Sequence, residues 1–240
     1  MKGLAVTGCL ILSAGLSMAA TEQDRLRDAT EVLQEIMRTP DKGIPHDLLD
    51  KAQCVAVIPS VKKGAFIVGA EYGKGFLECR ARGGGWKAPA AIQVEGGSFG
   101  FQIGGSSTDV VMLIMNPRGM QKLESDKFTL GADASVAAGP VGRTAAAQTD
   151  LQMSAEILSW SRTQGIFAGV ALNGASVRPD MKGNEELYGS KMGTRDVLES
   201  QRMVPPEAQP LVAELDRYSM HKEGSHSAER SVDHDHDQNH

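Results

Sequence analysis

The stretch CVAVIPSVKKGAFIVGAEYGKGFLEC, Cys54 to Cys79, decides the fold. Its short runs Cys54–Ile58, Ala65–Tyr72 and Phe76–Ala81 are rich in β-branched and aromatic residues, and Pro or Gly separates them, as in successive strands. Gly73-Lys74 between two of the runs reads as a tight hairpin of the Gly-X type. Further runs of the same texture follow at Ala90–Val94, Ser98–Ile103 and Thr108–Met115. Twelve of the 27 glycines fall between Gly64 and Gly105. Glycine inside a strand weakens it unless a bulge or a close backbone approach needs it. So many in so short a span predict a strongly curved antiparallel sheet or partial barrel, within an α+β fold.

Outward from this sheet the texture becomes helical. Thr21 and Asp24 form a loose capping box, and Leu26, Ala29, Leu33, Ile36 and Met37 recur at helical spacing through residue 38. The other face of that helix is net acidic, whereas helices that lie on anionic membranes are rich in Lys and Arg. It is therefore expected to pack on its own domain. Pro40 to Pro45 ends it, and His46–Gln53 makes a short second helix. Asn116-Pro117 starts another, with Asn as cap and Pro at the first helical position. Phe128–Ala138 and Glu156–Leu172 return to strand character, the latter turning at Gln164-Gly165. Short helical pieces follow near Asn184–Tyr188, Thr194–Glu199 and Glu207–Tyr218.

The two ends read differently. Residues 1–19 look like a cleavable export signal: Lys2 is the charged region, Leu4 to Leu16 the apolar one, and Ser17 and Ala19 are small residues before a cut at Ala20. Val6 to Cys9 resembles a lipoprotein box but leaves too short an apolar region ahead of it. The expected organisation is thus a signal at 1–19, a domain at 20–190, a helical extension at 191–220 and a disordered His/Asp-rich tail at 221–240. Export is expected to place the protein in the periplasm or outside the cell. There Cys54 and Cys79 are either a disulfide or two buried thiols.

Few residues suit catalysis. Outside the tail the one His is His46, at the start of a short helix between prolines, where an exposed polar or capping role is expected rather than a place in a triad. The glycine runs match neither a nucleotide P-loop nor a dinucleotide fingerprint. Glu95, Asp109 and Asp133 are the acids worth naming. Asp109 and Asp133 adjoin or interrupt apolar runs, where a carboxylate needs a positive partner such as Arg143. A carboxylate hydrolase stays as the third reading. No cofactor is implied. Weak metal binding is chemically open only to the tail residues His234, His236 and His240.

The formal charge is −5, which argues against nucleic acid as the main partner. Against that balance Lys62, Lys63, Lys74, Arg80, Arg82 and Lys87, opposed by Glu71 and Glu78, give +4 within one segment. Trp86 and Phe76 lie within it, and aromatic rings suit a lipid interface. This segment is the expected head-group site for anionic phospholipid.

Val55 to Gly69, Gly83 to Pro89, Gly96 to Gly104, Ser107 to Asp109 and Phe128 to Pro140 together resemble the SYLF domain family, in register from about Ala29 to Tyr188. Bacterial members of that family are described as exported lipid-binding proteins. Eukaryotic relatives bind phosphoinositides, and some bind actin. The resemblance implies a non-enzymatic lipid-binding module. No SH3 or FYVE stretch is read in these residues and the first helix is acidic, so phosphoinositide signalling and actin are not carried over. The alternative is an envelope structural or protein-interaction factor.

Overall fold

A computed structural model of the chain describes residues 20–39, 43–65, 69–98, 106–125, 127–141, 154–163, 165–200 and 202–219, without the side chains of 63–65, 69–70, 97–98 and 106. The expected signal, Cys9, Arg143, Gln164 and the His-rich tail lie outside the described residues.

Among the described residues, nine strands form one curled sheet in the order β5-β9-β3-β2-β1-β4-β7-β6, with β8 paired to β7. They are β1 (Cys54–Ala65), β2 (Gly69–Cys79), β3 (Ala90–Ser98), β4 (Ser106–Ile114), β5 (Phe128–Thr129), β6 (Val136–Ala138), β7 (Ile157–Thr163), β8 (Ile166–Gly169) and β9 (Ser176–Pro179). The helices are α1 (Glu22–Arg38), α2 (His46–Lys51), α3 (Pro117–Leu123), α4 (Met181–Tyr188), α5 (Thr194–Glu199) and α6 (Gln209–Ser219), with a 3₁₀ turn at Pro206–Ala208 before the last. The α+β class and the curled, partly closed sheet expected from the glycines are what the structure has. The sheet is mixed rather than purely antiparallel, because β6 joins β7 in parallel.

Burial on both faces explains the unbroken apolar runs. Val55 and Val57 of β1, Val111 and Leu113 of β4 and Phe76 of β2 share one core with Leu26, Leu33 and Ile36 of α1 and Leu211 and Leu215 of α6. The alternate residues Ala56, Ile58, Val110, Met112 and Leu77 face a second core, closed by Leu123, Phe128, Val177 and Leu198. The period-2 alternation of a strand thus deals its side chains to two cores.

Three local readings hold. Thr21 and Asp24 cap α1 reciprocally, Asn116 Oδ1 accepts from Gly119 N–H at 2.9 Å to start α3, and β7 and β8 form a hairpin at Gly165, whose φ is +78°. Two do not. Phe128–Ala138 is broken into β5 and β6 by a turn, in which the Thr129 N–H donates to Asp133 Oδ2 at 2.7 Å. Gly73-Lys74 is no hairpin: β2 runs through it, paired with β3 from Gly69 to Leu77. Its glycines serve close approach instead. A Cβ on Gly73 would lie 2.7 Å from Val61 Cγ2 and 2.9 Å from Ile58 Cγ2, and one on Gly75 would collide with the Val57 carbonyl. The crowding comes from a bulge in β1 between Ile58 and Val61. There Ser60 adopts φ +52°, an uncommon conformation for a non-glycine residue.

Candidate functional site

The basic segment, contiguous in sequence, is pulled apart along β2. A strand rises about 3.3 Å per residue, so Tyr72 and Arg80 lie up to about 26 Å apart. Lys62 and Lys63 belong to one end, Arg80, Arg82 and Lys87 to the other, and Lys74 lies between them. One continuous head-group site does not form.

The far end is structural. Arg80 donates from Nη2 to the carbonyls of Leu49 (3.0 Å) and Asp50 (3.3 Å) and from Nε to that of Ala52 (3.2 Å). It thereby holds the C-terminal end of α2, joining the Ala52 N–H on the Leu49 carbonyl and supplying donors to the carbonyls of Asp50 and of the cap residue Ala52. Its guanidinium lies 4.3 Å from the Trp86 ring centroid. Trp86 is 6% exposed and donates from Nε1 to Ser219 Oγ at 3.1 Å. Phe76 is 1% exposed. Neither ring is available as an apolar lipid contact, because each fills the core beneath the helical layer. Arg82 is exposed and Lys87 half-buried, with no exposed ring beside them on β2 or the loop that follows.

The near end is open. Lys62 of β1, Tyr72 of β2, Glu95 of β3 and Ser176 of β9 are register partners in one row across the sheet. Lys74, Gln93 and Arg178 form the next row on the same face. Lys62 is exposed and Tyr72 is 42% exposed. Among the described residues no carboxylate pairs with Lys62. The Tyr72 hydroxyl lies 3.4 Å from the Gln93 side-chain amide, whose oxygen accepts from Arg178 Nε at 2.7 Å, Arg178 also pairs with Glu95, and Lys74 is held by Asp180 at 2.5 Å. Lys63 follows on β1 opposite Glu71, its side chain outside the described residues. Tyr72 and Arg178 are absent from the expected site. Arg178 lies about a hundred positions from Lys74, and only the β3–β9 pairing brings it to this face.

The three acids are separated and occupied. Asp109, on β4, accepts from Arg162 Nε at 2.6 Å and from Ser60 N–H at 2.9 Å. Arg162 also pairs with Glu35 of α1 and so ties that helix to the sheet. Burial raises the Asp109 carboxyl above its ordinary value, against the pull of the Ser60 hydrogen bond. Its partner is thus Arg162, where sequence offered Arg143. Asp133 is exposed and closes the turn described above, so it is not a buried acid. Glu95 lies on β3 with Arg178. A groove of about 720 Å³ between α1 and the 3₁₀ turn, lined by residues such as Asp24, Arg27, Glu31 and Glu207, includes none of them. No group of three or more metal-ligating side chains that could hold a metal ion occurs among the described residues. No described helix is long and apolar enough to cross a membrane.

Cys54 and Cys79 are direct register partners on β1 and β2 and form a disulfide. Of the two sequence alternatives, the bonded pair is the one present.

A disulfide-stapled α+β domain, with two cores and an open polar sheet face, is the class these features define. Residues 95–218 match the sequence model of the Ysc84 family, described as "Las17-binding protein actin regulator". The chain is 32% identical over 195 residues to the human SH3 domain-containing YSC84-like protein 1, covering 81% of this chain and 56% of that one. It is 31% identical over 179 residues to the Saccharomyces cerevisiae protein YSC84, covering 73% of this chain and 38% of the yeast one. The chain belongs to the Ysc84 family, whose domain is the SYLF domain recognised in its sequence. It spans about half the length of the animal relatives it matches.

Proposed function

We propose that the protein is a non-enzymatic binding module that engages anionic phospholipid surfaces through the open sheet face, with Lys62 on phosphate and Tyr72 at the interface. The observation that carries this reading is the exposed Lys62–Tyr72 pair on the β1–β2 ladder, with Arg178 in the adjoining row. A lysine near an anionic surface contributes about 1 kcal/mol, and a tyrosine ring suits the boundary between tails and head groups. Arg82 and Lys87 are not part of the proposed site. Export through residues 1–19 belongs to the same reading, and the Cys54–Cys79 disulfide supports it, since such bonds persist in oxidising compartments.

A second reading has its own support. The family description names Las17 and actin regulation, and a yeast relative is named LAS seventeen-binding protein 3. On that reading the open sheet face meets a protein. Co-sedimentation separates the two. Phosphatidylserine-containing vesicles should pellet the protein at low salt and release it as salt rises, because screening weakens exposed charge contacts. Pelleting with actin filaments, and not with vesicles, would favour the protein partner and overturn the lipid reading.

A further inference from the structure

We propose that the seating of α6 in the helical layer over β2 is proton-linked through Glu78: the helix stays docked while the Glu78 carboxyl is neutral and lifts when that carboxyl ionises. Glu78 lies on β2 opposite Val55, on the same strand face as Phe76, which packs into the core beneath α1 and α6. It is 1% exposed, and neither carboxylate oxygen has a hydrogen-bond partner. An isolated buried carboxylate costs several kcal/mol, so such a group takes up a proton instead.

The charged groups around it make ionisation harder. Burial first, and then the negative field of Asp216 on α6, push the Glu78 carboxyl well above the usual carboxylate range. Asp216 is itself raised by burial, against the field of Arg80. Arg80 is the nearby cation, but its Nε and Nη2 donate to the carbonyls of Ala52, Leu49 and Asp50. From α4, Tyr188 turns its hydroxyl to the Pro89 carbonyl, and its pKa is raised by burial and then by Glu78. The remaining charges in the layer face elsewhere. Glu214 of α6 accepts from Gln34 of α1 at 2.8 Å and meets Arg217 at 3.7 Å, His46 of α2 lies 3.3 Å from the Tyr218 carbonyl, and Asp50 of α2 acts on Arg80.

Of the two elements that could yield, β2 is bonded on both sides by β1 and β3. The eleven-residue α6 packs on α1 and α2 with Leu211 and Leu215 in the shared core, and it meets the loop after β2 through the Trp86–Ser219 hydrogen bond. The helix is therefore the part that moves. Because the folded-state pKa lies above the unfolded value, the docked state has its full stability below the ordinary carboxylate range. It loses that stability as pH climbs toward the folded-state pKa.

Hydrogen exchange of the full chain between pH 5 and 9, corrected for intrinsic exchange, tests this independently of any ligand. Protection of residues 211–219 should fall with rising pH, by up to about tenfold per pH unit, while β4 keeps its protection. Glu78→Gln should remove the pH dependence. Asp216→Asn should make the fall smaller and complete it at lower pH, and it serves equally if the glutamine variant does not fold. An α6 whose protection does not change with pH, or a dependence that survives intact in both variants, would overturn the proposal. Neither outcome bears on vesicle binding, so the two can fail separately.

Discussion

The two halves of β2 carry similar residues to opposite ends. Tyr72 and Lys74 in the first half share a face with Lys62, while Phe76 and Glu78 in the second, and Arg80 just past its end, lie under α1, α2 and α6. Each half has an aromatic ring and a cation on the same strand face. What differs is the layer above: α1, α2 and α6 cover one half, while in the other Lys62 and Tyr72 stay exposed and Lys74 is held by Asp180. A run of positive charge in a sequence is therefore not one surface, and the aromatic residues nearest the charges are not its apolar anchors.

This contrast can be broken most forcefully in the buried half. Phe76→Ala should cost about 3–5 kcal/mol, as expected for a core aromatic, and chemical denaturation would register it. Vesicle binding by the folded fraction should stay unchanged. If the variant were as stable as the parent, the ring would not be core and the contrast would collapse. Removing the disulfide by the double change Cys54→Ala and Cys79→Ala should cost about 3–4 kcal/mol on the chain-entropy account for a 25-residue separation. Its midpoint should fall again without a specific loss of binding.

Arg80→Met sharpens the point, because it deletes a cation from the buried half. It should lower stability by about 2–3 kcal/mol through the stranded α2 carbonyls and leave vesicle affinity within twofold. The smallest effect on stability belongs to the open half. Lys62→Glu should alter the unfolding free energy by less than about 0.5 kcal/mol, as surface changes do. It should still lower vesicle affinity more than fivefold, the loss of a single lysine being worth about 1 kcal/mol.

Much of the fold is written in local signals. Thr21 with Asp24 and Asn116 with Pro117 mark helix starts because each supplies an oxygen to a free N–H. Gly165 marks a turn because its backbone occupies the left-handed region. Gly73 misleads for the opposite reason. It sits in an ordinary extended strand, and its lack of a side chain makes room for Val61 and Ile58 across the β1 bulge, a contact that no local pattern announces. The site was legible only in part. Lys62 stood out as a charge in an acidic chain, but its accessibility depends on where α1 and α6 end. Trp86 and Phe76 look like interfacial rings until those helices are placed. Arg178 reaches the face only through strand pairing, and the Asp109–Arg162 pair likewise joins residues far apart along the chain.

The most direct test of the account compares two double variants in the same vesicle experiment: Lys62→Glu with Tyr72→Ser at the open end, and Arg82→Glu with Lys87→Glu at the far end. Binding to phosphatidylserine-containing vesicles at low salt is predicted to be lost in the first and kept in the second, with both folded. Binding that survives in the first and fails in the second would contradict the account, as would a parent protein that ignores such vesicles altogether.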